Sequence, residues 1–248
     1  MSNLDNNSVR KIVASYYKIQ EAKASIEHLL KDEDDIELVE LMLDSLDSVD
    51  ALIKRPLTNY STASVVGEWC INQYGLGPVL TAGIMSHIDI TKANTAGALW
   101  RYAGFDPSAQ DSGKAAYNGE LKNICWKIGL NFSKYANRSK CFYGHLYLQD
   151  RARRTDNNNS LMYADKAYEL LDNASSKNKL NLDTLSLGKL PQEQIDAQAR
   201  RFAVKIFLSH YHAVAYQAHY NIVPDRPSFI YIDGEKQEVP IPNNPFKQ

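Results

Sequence analysis

Residues 72–88 read NQYGLGPVLTAGIMSHI and place two glycines and a proline between two apolar segments. Apolar residues recur at helical spacing on both sides of the glycines, which predicts two helices. Gly75 suits a backbone position with positive φ after the first helix, and Pro78 suits the first turn of the second. Leu76, between the glycines, can then point into the core. We therefore predict a tight turn between two helices.

The same turn is a candidate anion site. Backbone N–H groups at a helix N-terminus attract negative charge, and phosphate groups bind there readily. This predicts that Gly75, Leu76 and Gly77 contact the phosphate backbone of a nucleic acid. The alternative is an ordinary turn between helices with no ligand.

Length and composition indicate a globular protein. The chain has 248 residues, of which 44% are hydrophobic, enough for one sizeable core or one core plus a helical appendage. No apolar run approaches the roughly 20 residues of a membrane span, and the N-terminus lacks the apolar segment of a signal peptide. We therefore expect a cytoplasmic protein without membrane contacts. Its cysteines match no zinc module and are predicted to be reduced and packed: Cys70, Cys125 and Cys141.

Charge is distributed unevenly along the chain, although the formal net charge is only -1. Residues 1–60 are acidic, whereas residues 112–154 carry nine Lys and Arg against two acids, Glu120 and Asp150. Aromatic residues lie among these cations, a combination typical of nucleic-acid binding. A solvated helix face is the alternative. The predicted DNA contacts in this stretch are Lys114, Lys122, Lys127, Lys134, Arg138 and Lys140.

The fold class predicted from apolar periodicity is mainly α. Residues 8–30 and 36–54 form two amphipathic helices in a helical hairpin or coiled-coil arm, assigned to a first unit, 1–60, that holds a second copy or another protein. A helical domain follows at 61–222. It contains the glycine turn, a long helix over 120–154 that is broken near 137–139, and a helix over 191–220. Residues 153–162 and 173–188 are expected to be a polar loop and a mobile segment. The tail, 223–248, alternates around Asp233-Gly234 and predicts a small β-hairpin.

Few residues are candidates for catalysis or metal binding. His210 and His212 are two positions apart on a helix and so do not share a face, and no metal or other cofactor is expected. Ser112, in QDSGK, is the one plausible nucleophile, because it lies beside Gly113 and Lys114 at the start of the basic stretch. A serine in a polar turn is the alternative.

Residues 66–130 resemble a known family. The residues GLGPVLTAG, YAGFDP at 102–107 and Ser112-Gly113 are together similar to the C-terminal helix-hairpin-helix domain of DEDD-type insertion-sequence transposases, relatives of the Piv-type DNA invertases. In that family a ribonuclease-H-like domain supplies acidic residues, a coiled coil follows, and the C-terminal domain contributes a serine nucleophile. The resemblance implies that the arm corresponds to the coiled coil and Ser112 to the nucleophile. The ribonuclease-H-like domain is expected to be absent, and the family's basic stretch after Ser-Gly is replaced by KAAYNGELK.

Three functions remain open on this basis. The first is a DNA-binding protein that contacts the phosphate backbone through the glycine turn and the basic stretch, with a homo-oligomer formed through the arm. The second is a serine-dependent recombinase or transposase component that acts with partners. The third is a structural or interaction protein of a mobile element or virus.

Overall fold

The computed structural model describes residues 4–29, 36–106, 117–173, 179–224, 229–232 and 235–247. Within these ranges the chain is mainly α-helical, as predicted. The helices are α1 (Asn6–Leu29), α2 (Ile36–Ser61), α3 (Val65–Ile71), α4 (Pro78–His87), α5 (Ala96–Tyr102), α6 (Gly119–Lys134), α7 (Phe142–Asn159), α8 (Ala164–Asp172), α9 (Lys179–Ser186) and α10 (Gln192–Tyr220), with a 3₁₀ turn at Ile90–Lys92. Two short strands, β1 (Phe229–Ile232) and β2 (Glu235–Glu238), pair antiparallel with Phe229 opposite Glu238. The Asp233-Gly234 turn lies outside the described residues.

Helix α10 is the centre of the main core. It packs against α3, α5, α6 and α7, and its apolar side chains are largely buried. Phe207 stacks on Trp69 with ring centres 5.8 Å apart, and Phe132 packs edge-on against Phe207. These aromatic contacts join four helices, because Tyr143 of α7 also packs edge-on against Phe207. The cysteines are free thiols and all are buried, which confirms that they are packed.

The arm formed by α1 and α2 is docked on the main helical domain at its base. The two helices run antiparallel, as shown by hydrogen bonds from Gln20 to Asp50 (2.8 Å) and from Tyr60 to Asn6 (2.7 Å). Near the base, apolar side chains of both helices pack against α4: Val9, Val13 and Leu57 against Val79 and Ala82. Helix α2 therefore runs past residue 60 into the domain. The proposed division at 60 and 222 stays a prediction.

One expectation about the second half of the chain is wrong. Residues 153–159 are not a polar loop, because α7 continues to Asn159. The Asn158 side chain is buried and forms two hydrogen bonds of 2.9 Å with the backbone of Leu190. Within 173–188, residues 179–186 form α9, in which Leu185 packs near Ala167 of α8. The break in the long helix is confirmed, since α6 ends at Lys134 and α7 begins at Phe142. None of the helices in the described ranges is long and apolar enough to cross a membrane.

Candidate nucleic-acid interface

The turn between α3 and α4 has the predicted backbone. Gly75 has a φ of 97°, Leu76 is buried, and Pro78 is the first residue of α4. Gly77 precedes it as the N-terminal cap, with an extended backbone and a φ of -89°. A Cβ built on Gly77 would meet no atom within 4 Å. We call residues 74–77 the glycine loop; at its end the backbone is open to an approaching ligand.

Only part of the glycine loop can receive an anion. The Leu76 N–H already donates to the carbonyl oxygen of Gln73 at 3.0 Å, and Val79 and Leu80 in the first turn of α4 are buried. Gly77 is exposed. Of the three loop residues predicted to contact phosphate, Gly77 is therefore the best placed.

The glycine loop is fixed to the end of α6 and the turn that follows. The Asn131 side chain donates to the Gly75 carbonyl oxygen at 2.8 Å, and Tyr74 packs edge-on against Tyr135 with ring centres 5.6 Å apart. The Cys141 thiol makes a weak hydrogen bond to the Tyr74 carbonyl oxygen. Because of these contacts, residues 134–141, which we call the basic turn, lie beside the glycine loop.

The basic turn presents three exposed cations, Lys134, Arg138 and Lys140. Backbone hydrogen bonds of 2.9 Å, from Arg138 to Tyr135 and from Cys141 to Arg138, hold the turn. Within the described part of the chain, none of the three cations forms an ion pair. The structure thus brings three of the predicted DNA-binding side chains together with the loop.

The two other predicted lysines of α6 lie on different sides of that helix. The Lys127 ammonium is 3.9 Å from the ring centre of Tyr17 in α1, and the Lys122 ammonium is 4.3 Å from that of Tyr117. Lys127 and Lys134 are seven positions apart and share a helix face, which is the side of the glycine loop. Lys122 instead borders a cleft between α6 and α10.

The arginines at the end of the basic stretch form ion pairs with carboxylates of α7 and α10. Arg151 Nε lies 2.6 Å from Asp196 Oδ1, and Arg153 and Arg154 each lie 2.5 Å from the buried carboxylate of Asp150. These ion pairs balance two of the three positive charges, since Arg153 and Arg154 share one carboxylate, and a buried carboxylate requires such partners. The expectation that the phosphate-binding stretch extends to Arg154 stays a prediction, and these three arginines differ from Lys134, Arg138 and Lys140 in having acidic partners.

Ser112 and Lys114 lie outside the described residues, and their roles as nucleophile and phosphate contact stay predictions. The described residues on either side are close to each other. The Asn118 N–H donates to the Tyr102 carbonyl oxygen at 2.8 Å, and a Cβ on Gly104 would lie 3.1 Å from the Tyr117 ring.

His210 and His212 are buried in the core of the described structure, where each forms hydrogen bonds. His210 lies between the Tyr143 hydroxyl (2.8 Å) and the Val239 carbonyl oxygen (3.0 Å), and burial lowers its pKa to about 4. His212 is also buried and donates from Nε2 to the Ala93 carbonyl oxygen at 2.8 Å. In the described ranges no three His, Cys, Asp or Glu residues are grouped as a metal site would require.

The packing of α6 against the side of α10 that carries Arg200 and Arg201 was not predicted from the sequence. Arg200 and Arg201 lie with Lys122 and Trp126 around the cleft between these helices. Helical periodicity carries no information about which other helix faces these arginines.

Comparison with known proteins gives one family. The model of the transposase IS116/IS110/IS902 family matches residues 73–125, which include the whole glycine loop, α4, α5 and the start of α6. This similarity supports a transposase-related domain in that segment. No curated protein and no solved structure matches the chain.

Proposed function

We propose that this protein is a transposase-related DNA-binding protein that contacts the phosphate backbone through the glycine loop and the basic turn. The observation that carries the proposal is the exposure of Lys134, Arg138 and Lys140, without acidic partners in the described structure, beside Gly77. The family match across the glycine loop agrees with this role.

The chemistry of the surface favours backbone contacts over base reading. Lysine and arginine side chains neutralise phosphates and release counterions, which gives affinity without sequence preference. The missing side chain at Gly77 allows a phosphate to approach the backbone at the start of α4, where the helix dipole is favourable. We therefore expect binding that depends strongly on salt and weakly on sequence.

A triple variant, Lys134→Ala, Arg138→Ala and Lys140→Ala, tests this proposal. We expect its affinity for a duplex to fall at least about tenfold near 0.1 M salt, because up to three phosphate contacts are lost. The slope of log K against log salt should become shallower by up to about 3, at about 0.9 per contact. Fluorescence anisotropy of an end-labelled duplex across a salt series measures both quantities.

A charge-matched variant is the control. Lys11, Lys18 and Lys166 are exposed on α1 and α8 and belong to neither the glycine loop nor the basic turn. Replacing these three by alanine changes the net charge equally and should leave the affinity near that of the unmodified protein. Equal losses in both variants would mean that binding follows net charge alone, and no salt-dependent binding by the unmodified protein would refute the proposal.

We also propose that two copies associate through α2. One side of this helix packs on α1, whereas the other exposes a stripe of large apolar side chains with exposed fractions between 40% and 70%: Leu38, Leu41, Met42, Val49 and Leu52. An apolar stripe of this kind on a charged helix is typical of an interface. Ser45, a small exposed residue, lies at the middle of the stripe.

Charge favours an antiparallel pair. Glu37 and Arg55 are both exposed, and they are separated by about five helical turns, so they lie on the same flank of the stripe. With a twofold axis near Ser45, Leu38 faces Leu52 of the partner subunit and Glu37 lies near Arg55 of the partner subunit.

A double variant, Leu41→Glu and Leu52→Glu, is expected to convert the assembly to monomers, since charges would be buried unpaired at the centre of the interface. Light scattering coupled to size exclusion measures the mass. Met162→Glu is the control, because Met162 is 70% exposed at the turn before α8, outside the stripe. A monomeric mass for the unmodified protein would contradict the proposed pair.

A further inference from the structure

A small cleft lies between α6 and α10, beside the end of α5. It has a volume of about 160 Å³, and its lining includes Phe105, Lys122, Trp126, Arg200 and Arg201. Pockets for drug-sized ligands have volumes of about 300–1,000 Å³. This cleft therefore fits one planar ring system, with the rest of the ligand at the rim.

Trp126 is placed differently from the two other tryptophans. Trp69 is buried in the core, and the Trp100 indole N–H donates to the Lys205 carbonyl oxygen at 3.0 Å. Trp126 is 55% exposed at the edge of the cleft, and within the described residues it stacks on no other ring. An exposed indole next to a cleft offers a flat surface on which a nucleobase can stack.

The cleft is cationic. Its charged lining residues are Lys122, Arg200 and Arg201, and no described carboxylate lines it. None of these three cations forms an ion pair with a described residue. The close packing of the helices at Gly129, where a Cβ would lie 3.1 Å from Val204 and 3.4 Å from Arg200, brings the arginines next to α6. A ligand for this site is therefore planar, aromatic and anionic.

The cleft and the basic turn can be reached by one strand. Trp126 and Lys134 are both on α6, and eight residues of helix separate them by about 12 Å along the axis. Lys127, on the glycine-loop side of α6, lies between them in the sequence. A nucleic-acid strand that follows α6 from the basic turn would thus arrive at Trp126 after a few nucleotides.

We propose that the cleft binds one unpaired nucleobase of the DNA strand held by the glycine loop and basic turn. The base stacks on the Trp126 indole, and its phosphate lies at the rim among Lys122, Arg200 and Arg201. This inference rests on the proposed DNA-binding function and adds a preference for unpaired over duplex DNA. Stacking on an aromatic side chain tolerates every base, so the preference does not depend on sequence.

Trp126→Ala separates this inference from the proposed function. The probes are an end-labelled 12-nucleotide single strand and the blunt duplex of the same sequence, at equal salt. We expect the variant to bind the single strand about tenfold more weakly and the duplex unchanged. In the unmodified protein, the single strand should also quench the long-wavelength emission that an exposed indole gives. Tyr168→Ala, which removes a 47% exposed ring from α8, is the control and should change neither affinity.

The possible outcomes distinguish the two proposals. Equal affinities for both probes, with no effect of Trp126→Ala, would overturn the unpaired-base site and leave phosphate-backbone binding standing. A variant that loses duplex and single strand alike would also overturn it, because a base site must discriminate between them. Absence of binding to either probe by the unmodified protein would overturn both proposals. The Arg201→Gln variant is a second test: weaker binding to the single strand with unchanged binding to the duplex would support the site.

Discussion

Gly67→Ala is expected to destabilise the fold by about 3 kcal/mol or more, the upper part of the range for overpacked positions. Gly67 lies where α3 crosses the end of α2, and a Cβ there would come within 1.8 Å of the Ser61 carbonyl oxygen and 2.8 Å of the Met85 sulfur. Ser61 is buried, and its hydroxyl donates to the Pro78 carbonyl oxygen at 3.0 Å. The end of α2 therefore cannot move away without disturbing the start of α4. Urea unfolding followed by far-ultraviolet circular dichroism measures the loss.

Gly97→Ala is the matched control for this variant. Gly97 is also helical, but it is exposed, and its nearest neighbour is the Thr95 hydroxyl at 3.8 Å from the added Cβ. Alanine there should be neutral or stabilising by up to about 1 kcal/mol, since alanine favours helix over glycine. Similar unfolding curves for Gly67→Ala and the unmodified protein would show that α3 does not pack on α2 as described.

Acidification from pH 7.5 to pH 5 is expected to destabilise the protein by about 2 kcal/mol through His210 alone. Burial lowers the pKa of His210 to about 4, compared with about 6.5 for an exposed imidazole. Between pH 6.5 and pH 4, His210 is protonated in the unfolded chain but remains neutral in the folded protein. The free energy of unfolding therefore falls as the pH decreases towards 4. Burial also lowers the pKa of His87 and His212, which acts in the same direction.

A His210→Gln variant separates this residue from the other titrating groups. Its stability at pH 7.5 is expected to be lower, because the contacts with Tyr143 and Val239 are disturbed. The difference in unfolding free energy between pH 7.5 and pH 5, measured by urea unfolding at both values, should shrink by about 2 kcal/mol. An unchanged difference would contradict the assignment of this pH dependence to His210.

Much of the local structure follows from short-range features of the sequence. Gly75 adopts the positive φ expected after a helix, Pro78 occupies the first position of α4, and Leu76 is buried between the glycines. These outcomes depend on backbone sterics and on apolar side chains within one or two helical turns. For the same reason the helix over 191–220 and the break between α6 and α7 could be predicted.

The composition of the candidate surface could be predicted only in part. The number of Lys and Arg residues predicted a phosphate-binding surface as far as Arg154. In the structure, however, Arg151 forms an ion pair with Asp196, which is 45 positions away in the sequence. Likewise, α7 continues through a polar segment because the Asn158 side chain bonds to the backbone of Leu190, 32 positions away. Such partners leave no periodic signal in the sequence.

The sequence by itself determined the helical character of the chain, the conformation of the glycine loop and the concentration of positive charge after it. Only the tertiary structure decided which cations are available. It leaves Lys134, Arg138 and Lys140 exposed beside Gly77, pairs the later arginines with Asp150 and Asp196, and joins Lys122 with Arg200 at the cleft. The physical reason is that local backbone preference acts over a few residues, whereas the neutralisation and burial of a charge depend on helices distant in sequence that the core brings together.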